Sequence, residues 1–165
     1  MAKSILRAAA ALALASSLGL GAANTAFAAD EVNVAPGGTP QGPGIAVQGY
    51  DVVSYRDGNG PELGLSEYAV AHEGGTYLFA SEANMKAFEA DPERFVPAYG
   101  GFCAFGVAKG KKFNGDPLVY DIVDDRLFLN INGDVQTLWS KDAAPMIQDA
   151  DTQWTTIRST AASEL

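Results

Sequence analysis

Two stretches of the chain alternate apolar and polar residues around a pair suited to a tight turn. Residues 68–79 read YAVAHEGGTYLF, in which Gly74-Gly75 supplies the positive φ that a two-residue hairpin turn requires. With that pair as the loop, His72 faces Tyr77 and Val70 faces Phe79, which puts four side chains on one face of the hairpin. Residues 118–132 read LVYDIVDDRLFLNIN, a second hairpin around Asp124-Asp125, residue types that tolerate turn backbone. Elsewhere the apolar spacing lengthens to three and four. Ser81 is placed to cap a helix that runs to Ala90 and is stopped by Asp91-Pro92, with Met85 and Phe88 on one side of it. Asp134 caps a helix through Trp139. A last helix covers Ala144 to Ile157, where Met146, Ile147, Ala150, Trp154 and Ile157 recur on one stripe. Hairpins and short helices without βαβ alternation predict an α+β fold, a small antiparallel sheet of hairpins packed with short helices in one domain. Residue identities show no internal repeat.

The ends of the chain change that picture. Lys3 and Arg7, an Ala/Leu-rich run from Ala8 to Leu20 and the Ala26-Phe27-Ala28 triplet have the order of a secretory signal peptide over residues 1–28, which predicts a periplasmic or secreted protein. The apolar run is shorter than the roughly 20 residues of a membrane span, so no membrane attachment is expected after cleavage. Cleavage leaves nine basic against twenty acidic residues, a net charge of −11. A surface of that sign repels phosphate backbones and anionic lipid, so neither nucleic acid nor a membrane surface is an expected partner. Residues 35–44 hold seven Gly or Pro in ten, so 29–44 read as a flexible leader. The domain then spans 45–158 with a helical C-terminal extension, followed by a tail at 159–165.

Candidate chemistry is sparse. Cys103 is the only cysteine, within YGGFCAFG at 99–106, so the chain has no internal disulfide. Gly100-Gly101 turns the backbone and the segment from Phe102 to Lys109 suits a short helix. A thiol in its first turn is drawn toward thiolate, a better metal ligand and nucleophile; burial as a small apolar residue is the other reading. His72, the only histidine, offers an imidazole nitrogen at the end of a strand, and Met85 a thioether. Asp51, in GYDVVSY at 49–55, is a natural N-cap for a short helical turn. No G-x-S-x-G, H-E-x-x-H, C-x-x-C or phosphate-loop pattern is present, so nothing points to an enzyme.

GYDVVSY and the order H-x-G-x-x-Y-x-F-x-S-x(6)-F-x-x-x-P from His72 to Pro92 resemble the YHS domain, a small module of exported bacterial proteins, copper-transporting ATPases and some oxygenases. The resemblance covers about residues 45–110, and the segment beyond it is similar to the extension of exported members with a Y-G-G-[FY]-C-A motif. Metal-binding members carry thiolates in a D-P-V-C-G-M start and a Y-F-C-S-x-x-C turn. At the matching positions this chain has Ser54, Ala80 and Asn84, while His72 is retained. The resemblance implies a metal-binding or metal-handling module for a soft metal such as copper, with Cys103, His72 and Met85 as the available ligands. The three replaced thiols favour a second reading, a non-catalytic scaffold or partner-binding domain that has lost its metal and binds a protein instead.

Overall fold

The computed structural model describes residues 31–165 apart from Gln41 and Asp57; the expected signal peptide lies outside the described residues. Strands β1 (Leu65–His72) and β2 (Gly75–Phe79) form an antiparallel hairpin, followed by helices α1 (Glu82–Ala90) and α2 (Pro92–Phe95). A short helix α3 (Ala104–Ala108) leads into a second hairpin, β3 (Asp116–Val123) with β4 (Arg126–Asn130), then α4 (Gly133–Lys141) and α5 (Ala143–Ile157). Two separate two-stranded sheets with short helices make the fold α+β, as the sequence pattern predicts. No helix among the described residues is long and apolar enough to cross a membrane.

The first turn differs from expectation by one residue. The loop is Glu73-Gly74, both at positive φ (41° and 91°), so His72 lies opposite Gly75 and Val70 opposite Tyr77. Gly75 belongs to the strand, where a Cβ would come within 3.1 Å of Ala46 and Val32. The partners slip by two positions, an even number, so His72, Val70, Tyr77 and Phe79 keep their common face. Asp124-Asp125 forms the second loop as predicted, at φ 50° and 60°. Ser81 caps α1 by accepting from the Asn84 N–H, whereas α4 is capped by Asn132, not Asp134, because Asn132 Oδ1 reaches the Val135 N–H at 2.9 Å.

The two hairpin–helix units repeat each other, contrary to the reading of the residue identities. Every boundary in the first recurs 51 positions later: β1 at 65 and β3 at 116, β2 at 75 and β4 at 126, the N-caps at 81 and 132, α1 at 82 and α4 at 133. Register recurs too, from Leu65↔Phe79 and His72↔Gly75 to Asp116↔Asn130 and Val123↔Arg126, with an irregularity at the same place in each hairpin. The aromatic pair Tyr77–Phe88, with ring centroids 5.0 Å apart, has its counterpart in Phe128–Trp139 at 5.4 Å. Gly64 and Gly115 precede the two long strands, and a side chain at either would collide with the equivalent leucine, Leu78 or Leu129. Backbone geometry has kept what the side-chain letters have lost.

β4 stands between two cores. Leu127 and Leu129 pack with Tyr77, Phe79, Phe88 and Val52 of the first unit, while Phe128 on its other face packs with Trp139, Val107, Ala150 and Ile157. β2 has the leader segment on its corresponding outer side. Val34 bridges Ala46, Ala46 N–H donates to the Thr76 carbonyl, and Asn33 N–H donates to Gly100 at 2.8 Å. The segment expected as a flexible leader is therefore built into the fold from Glu31 onward. Its glycines and prolines leave it without a helix, but Thr39 and Thr76 side chains pair at 3.1 Å and hold its bend against the strand.

Candidate functional site

Asp51 is fully buried and its carboxylate is saturated by donors. Oδ1 accepts the Val53 N–H at 2.8 Å; Oδ2 accepts the Ala80 N–H at 2.9 Å and the Asn84 side-chain amide at 2.7 Å. Ser54 Oγ donates to the Asp51 carbonyl at 2.7 Å and accepts the Glu62 N–H. Of the three positions matched to family thiolates, Ala80 and Asn84 thus bond the Asp51 carboxylate and Ser54 bonds the main-chain carbonyl of the same residue. Three donors facing a carboxylate satisfy a buried charge without a cation, and none of the three side chains is a soft-metal ligand. The donor set does not fit a thiolate-bound metal.

Cys103 occupies the equivalent place in the second unit. Asp51 N–H donates to Glu62 and Cys103 N–H to Phe113, each at 2.8 Å, with one extra residue around Gly101. Cys103 is the N-cap residue of α3 and only 1% exposed; its thiol lies 3.6 Å from Asn130 Oδ1, which also accepts the Phe105 N–H. Asn130 here does the capping that Asp51 does in the first unit. Cys103, expected as a metal ligand, has its sulfur buried and within 3.6 Å of the Asn130 amide oxygen. Met85 packs against the first apolar core. Tyr77 and Phe88, the rings beside His72, belong to that same core, whereas Cys103 lies against Asn130 of β4.

His72 has other neighbours. Its ring stands edge-on to Phe88 at 5.5 Å and is 6.3 Å from Tyr77, so its plane is fixed by aromatic contacts. Nε2 is buried with no hydrogen-bond partner among the described residues, and 3.7 Å away lies Glu93 Oε1. Ligand atoms of His72, Glu73 and Glu93 all fall within 4.8 Å of one another. The hairpin turn supplies Glu73 and α2 supplies Glu93. Sequence reading missed both carboxylates, since Glu93 is remote in the chain and Glu73 reaches the site only because the loop shifts by one.

The two glutamates also line a cleft of about 320 Å³ between the units, walled by Tyr99, Pro97, Trp154 and the side chains of Arg94, Arg126 and Arg158. Arg126 makes a two-pronged contact with Asp151 (2.7 and 3.1 Å), and Tyr99 donates its hydroxyl to the same carboxylate at 2.9 Å. The Arg126 hydrogen bonds, helped by Tyr99, hold the Asp151 carboxyl below its usual range, and burial together with Asp151 pushes the Tyr99 phenol up. Arg94 pairs with Asp125 at 3.2 Å and Arg158 with Glu31 at 2.8 Å. Tyr99 has a left-handed backbone, φ 57°, but so has Gln48 at the matching place in the first unit, φ 50°. That conformation belongs to the repeat, not to the cleft.

No curated protein and no solved structure matches the chain. The model of the YHS domain family matches residues 60–99, which span β1, β2, α1, α2 and the approach to Tyr99, and so include His72, Glu73, Ala80, Asn84 and Glu93. The likeness to the YHS domain is carried by residues 60–99.

Proposed function

We propose that this protein is an exported, non-catalytic YHS module that binds a divalent cation through His72, Glu73 and Glu93. The observation that carries the reading is the orphaned Nε2 of His72 beside two carboxylates, with all three ligand atoms within 4.8 Å. Tetrahedral sites with bonds of about 2.0–2.2 Å put neighbouring donors roughly 3.3 Å apart, so a cation needs the carboxylates to close by about 1 Å. Glu93 is exposed and its side chain has the freedom to move that far. One imidazole and two carboxylates suit zinc or divalent copper, not the monovalent copper that thiolates and thioethers select. Copper handling is thereby kept as a reading only in its oxidised form. Export supports it, because no cytosolic thiol pool competes for the ion there.

Mass spectrometry of the native protein, after incubation with zinc or divalent copper and removal of excess metal, tests the proposal. One ion per chain is expected, lost in His72→Ala and weakened in Glu93→Gln. A His72→Ala variant that keeps the ion at full stoichiometry refutes the site, and a wild type that holds none refutes the function and leaves the scaffold reading.

A further inference from the structure

Five arginines occur in the sequence, at 7, 56, 94, 126 and 158. Three of the four in the described residues line one cleft of a strongly acidic protein, and the fourth, Arg56, anchors its rim by donating to the Arg94 carbonyl at 2.6 Å and the Asp125 carbonyl at 2.9 Å. We infer that this cleft between the two repeat units binds a small organic carboxylate through Arg94, Arg126 and Arg158.

Each guanidinium in the cleft wall is held by an acid from a different element. Asp125 of the second turn fixes Arg94, Asp151 of α5 fixes Arg126, and Glu31 of the leader fixes Arg158. A guanidinium carries five N–H donors. Arg94 uses only Nε, Arg126 uses Nη1 and Nη2, and Arg158 uses only Nη2 in these pairs. The side chains remain 54%, 42% and 55% exposed. The acids therefore orient the three forks while leaving donor edges for a ligand, and planar forks of this kind match a carboxylate in a two-pronged way. Stacking fixes Arg126 further, its guanidinium lying 4.9 Å from the Phe128 ring centre.

The remaining walls select the body of the ligand. Val96, Pro97, Trp154 and the Tyr99 ring give an apolar and aromatic surface, and the volume of about 320 Å³ is at the small end of metabolite sites. Inorganic phosphate would leave that surface uncovered, so the fit is to a carboxylate with a hydrocarbon or aromatic part. Glu73 and Glu93 sit at one end of the same cleft. Their charge opposes an anion until a cation neutralises it, so a metal at His72 would strengthen carboxylate binding, and carboxylate would strengthen metal binding by the same factor. The carboxylate site itself does not depend on the metal proposal.

Calorimetric titration of the full mature chain with benzoate, succinate and inorganic phosphate, each with and without zinc, tests this. Saturable one-to-one binding of benzoate or succinate is expected in both conditions, tighter with zinc. The double variant Arg94→Lys/Arg158→Lys keeps the charges and the ion pairs that build the walls but loses the forks, and its affinity should fall about tenfold or more. Wild type that binds neither carboxylate overturns the inference, as does phosphate binding at least as tightly, or a double variant with unchanged affinity and an unaltered circular dichroism spectrum. Carboxylate binding without any effect of zinc leaves this inference standing and counts against the cation site alone.

Discussion

Asp51→Ala should be among the most damaging single substitutions in the chain. It removes one acceptor group and strands three donors, the Val53 and Ala80 N–H groups and the Asn84 amide. Asp51 is 0% exposed, so solvent does not reach the groups left behind without rearrangement. Each buried donor left unpaired costs about 1–3 kcal/mol, which gives roughly 3–6 kcal/mol when the exposed side of Asn84 recovers part of its loss to water. A domain of this size has only about 5–15 kcal/mol of stability in total. With a urea slope of about 1–3 kcal/mol per molar, the midpoint should fall by roughly 1–6 M. Equilibrium unfolding followed by tryptophan fluorescence reads this directly, because Trp139 and Trp154 both belong to the core built on Phe128 and report the far side of β4. Asp51→Asn keeps one acceptor oxygen and should lie between wild type and alanine. Cys103→Ala, at the matching place, loses only a thiol on an amide oxygen and should cost less than half as much. An Asp51→Ala protein destabilised by less than about 1 kcal/mol would refute the idea that this carboxylate organises the first unit.

Three other outcomes follow from the same geometry. Burial raises the phenols of Tyr55, Tyr77 and Tyr99; each group contributes stability that is complete below its unfolded value near 10 and is lost as pH rises through its folded one, so urea midpoints should decline steadily above about pH 10, by up to ~1.4 kcal/mol per tyrosine per pH unit, and a flat profile to pH 12 would contradict it. Lys112, 5% exposed, donates to the Arg158 and Thr160 carbonyls beyond the C-terminus of α5 at 2.8 and 2.7 Å; Lys112→Met should cost about 1–3 kcal/mol and lower the melting temperature by several degrees in calorimetry. Because Ser54, Ala80 and Asn84 all bond to Asp51, the triple cysteine variant should bind zinc with three thiols protected from a thiol reagent, whereas thiols that react equally with and without zinc would show that the three positions do not form a coordination sphere.

Much of the fold was legible from alternation and caps. The Asp124-Asp125 turn, the Ser81 cap and the stop at Asp91-Pro92 each depend on chemistry local to a few residues. The first turn was misplaced because adjacent glycines read alike in sequence, while the folded register leaves Glu73-Gly74 in the loop and sets Gly75 against Val32 and Ala46, some 30 to 40 positions away. The repeat was invisible for a related reason. Phe128 stands where the first unit has Tyr77, Trp139 where it has Phe88 and Cys103 where it has Asp51, so the backbone path matches while few letters agree. His72 ends β1, where the alternation places it. Its carboxylate neighbours were not, since Glu73 depends on the turn register and Glu93 on how α2 folds back.

The double allegiance of β4 sets where this protein can be cut. Residues 60–99 end before the strand whose leucines complete their core, so a fragment drawn at those limits would offer Tyr77, Phe79 and Phe88 to water, while the complementary piece would show a bare row of Leu127 and Leu129. Neither half is a transferable cassette. Any fusion, truncation or domain graft that respects the chemistry has to carry the whole span from Glu31, because the two matching units share β4 and form a single indivisible body.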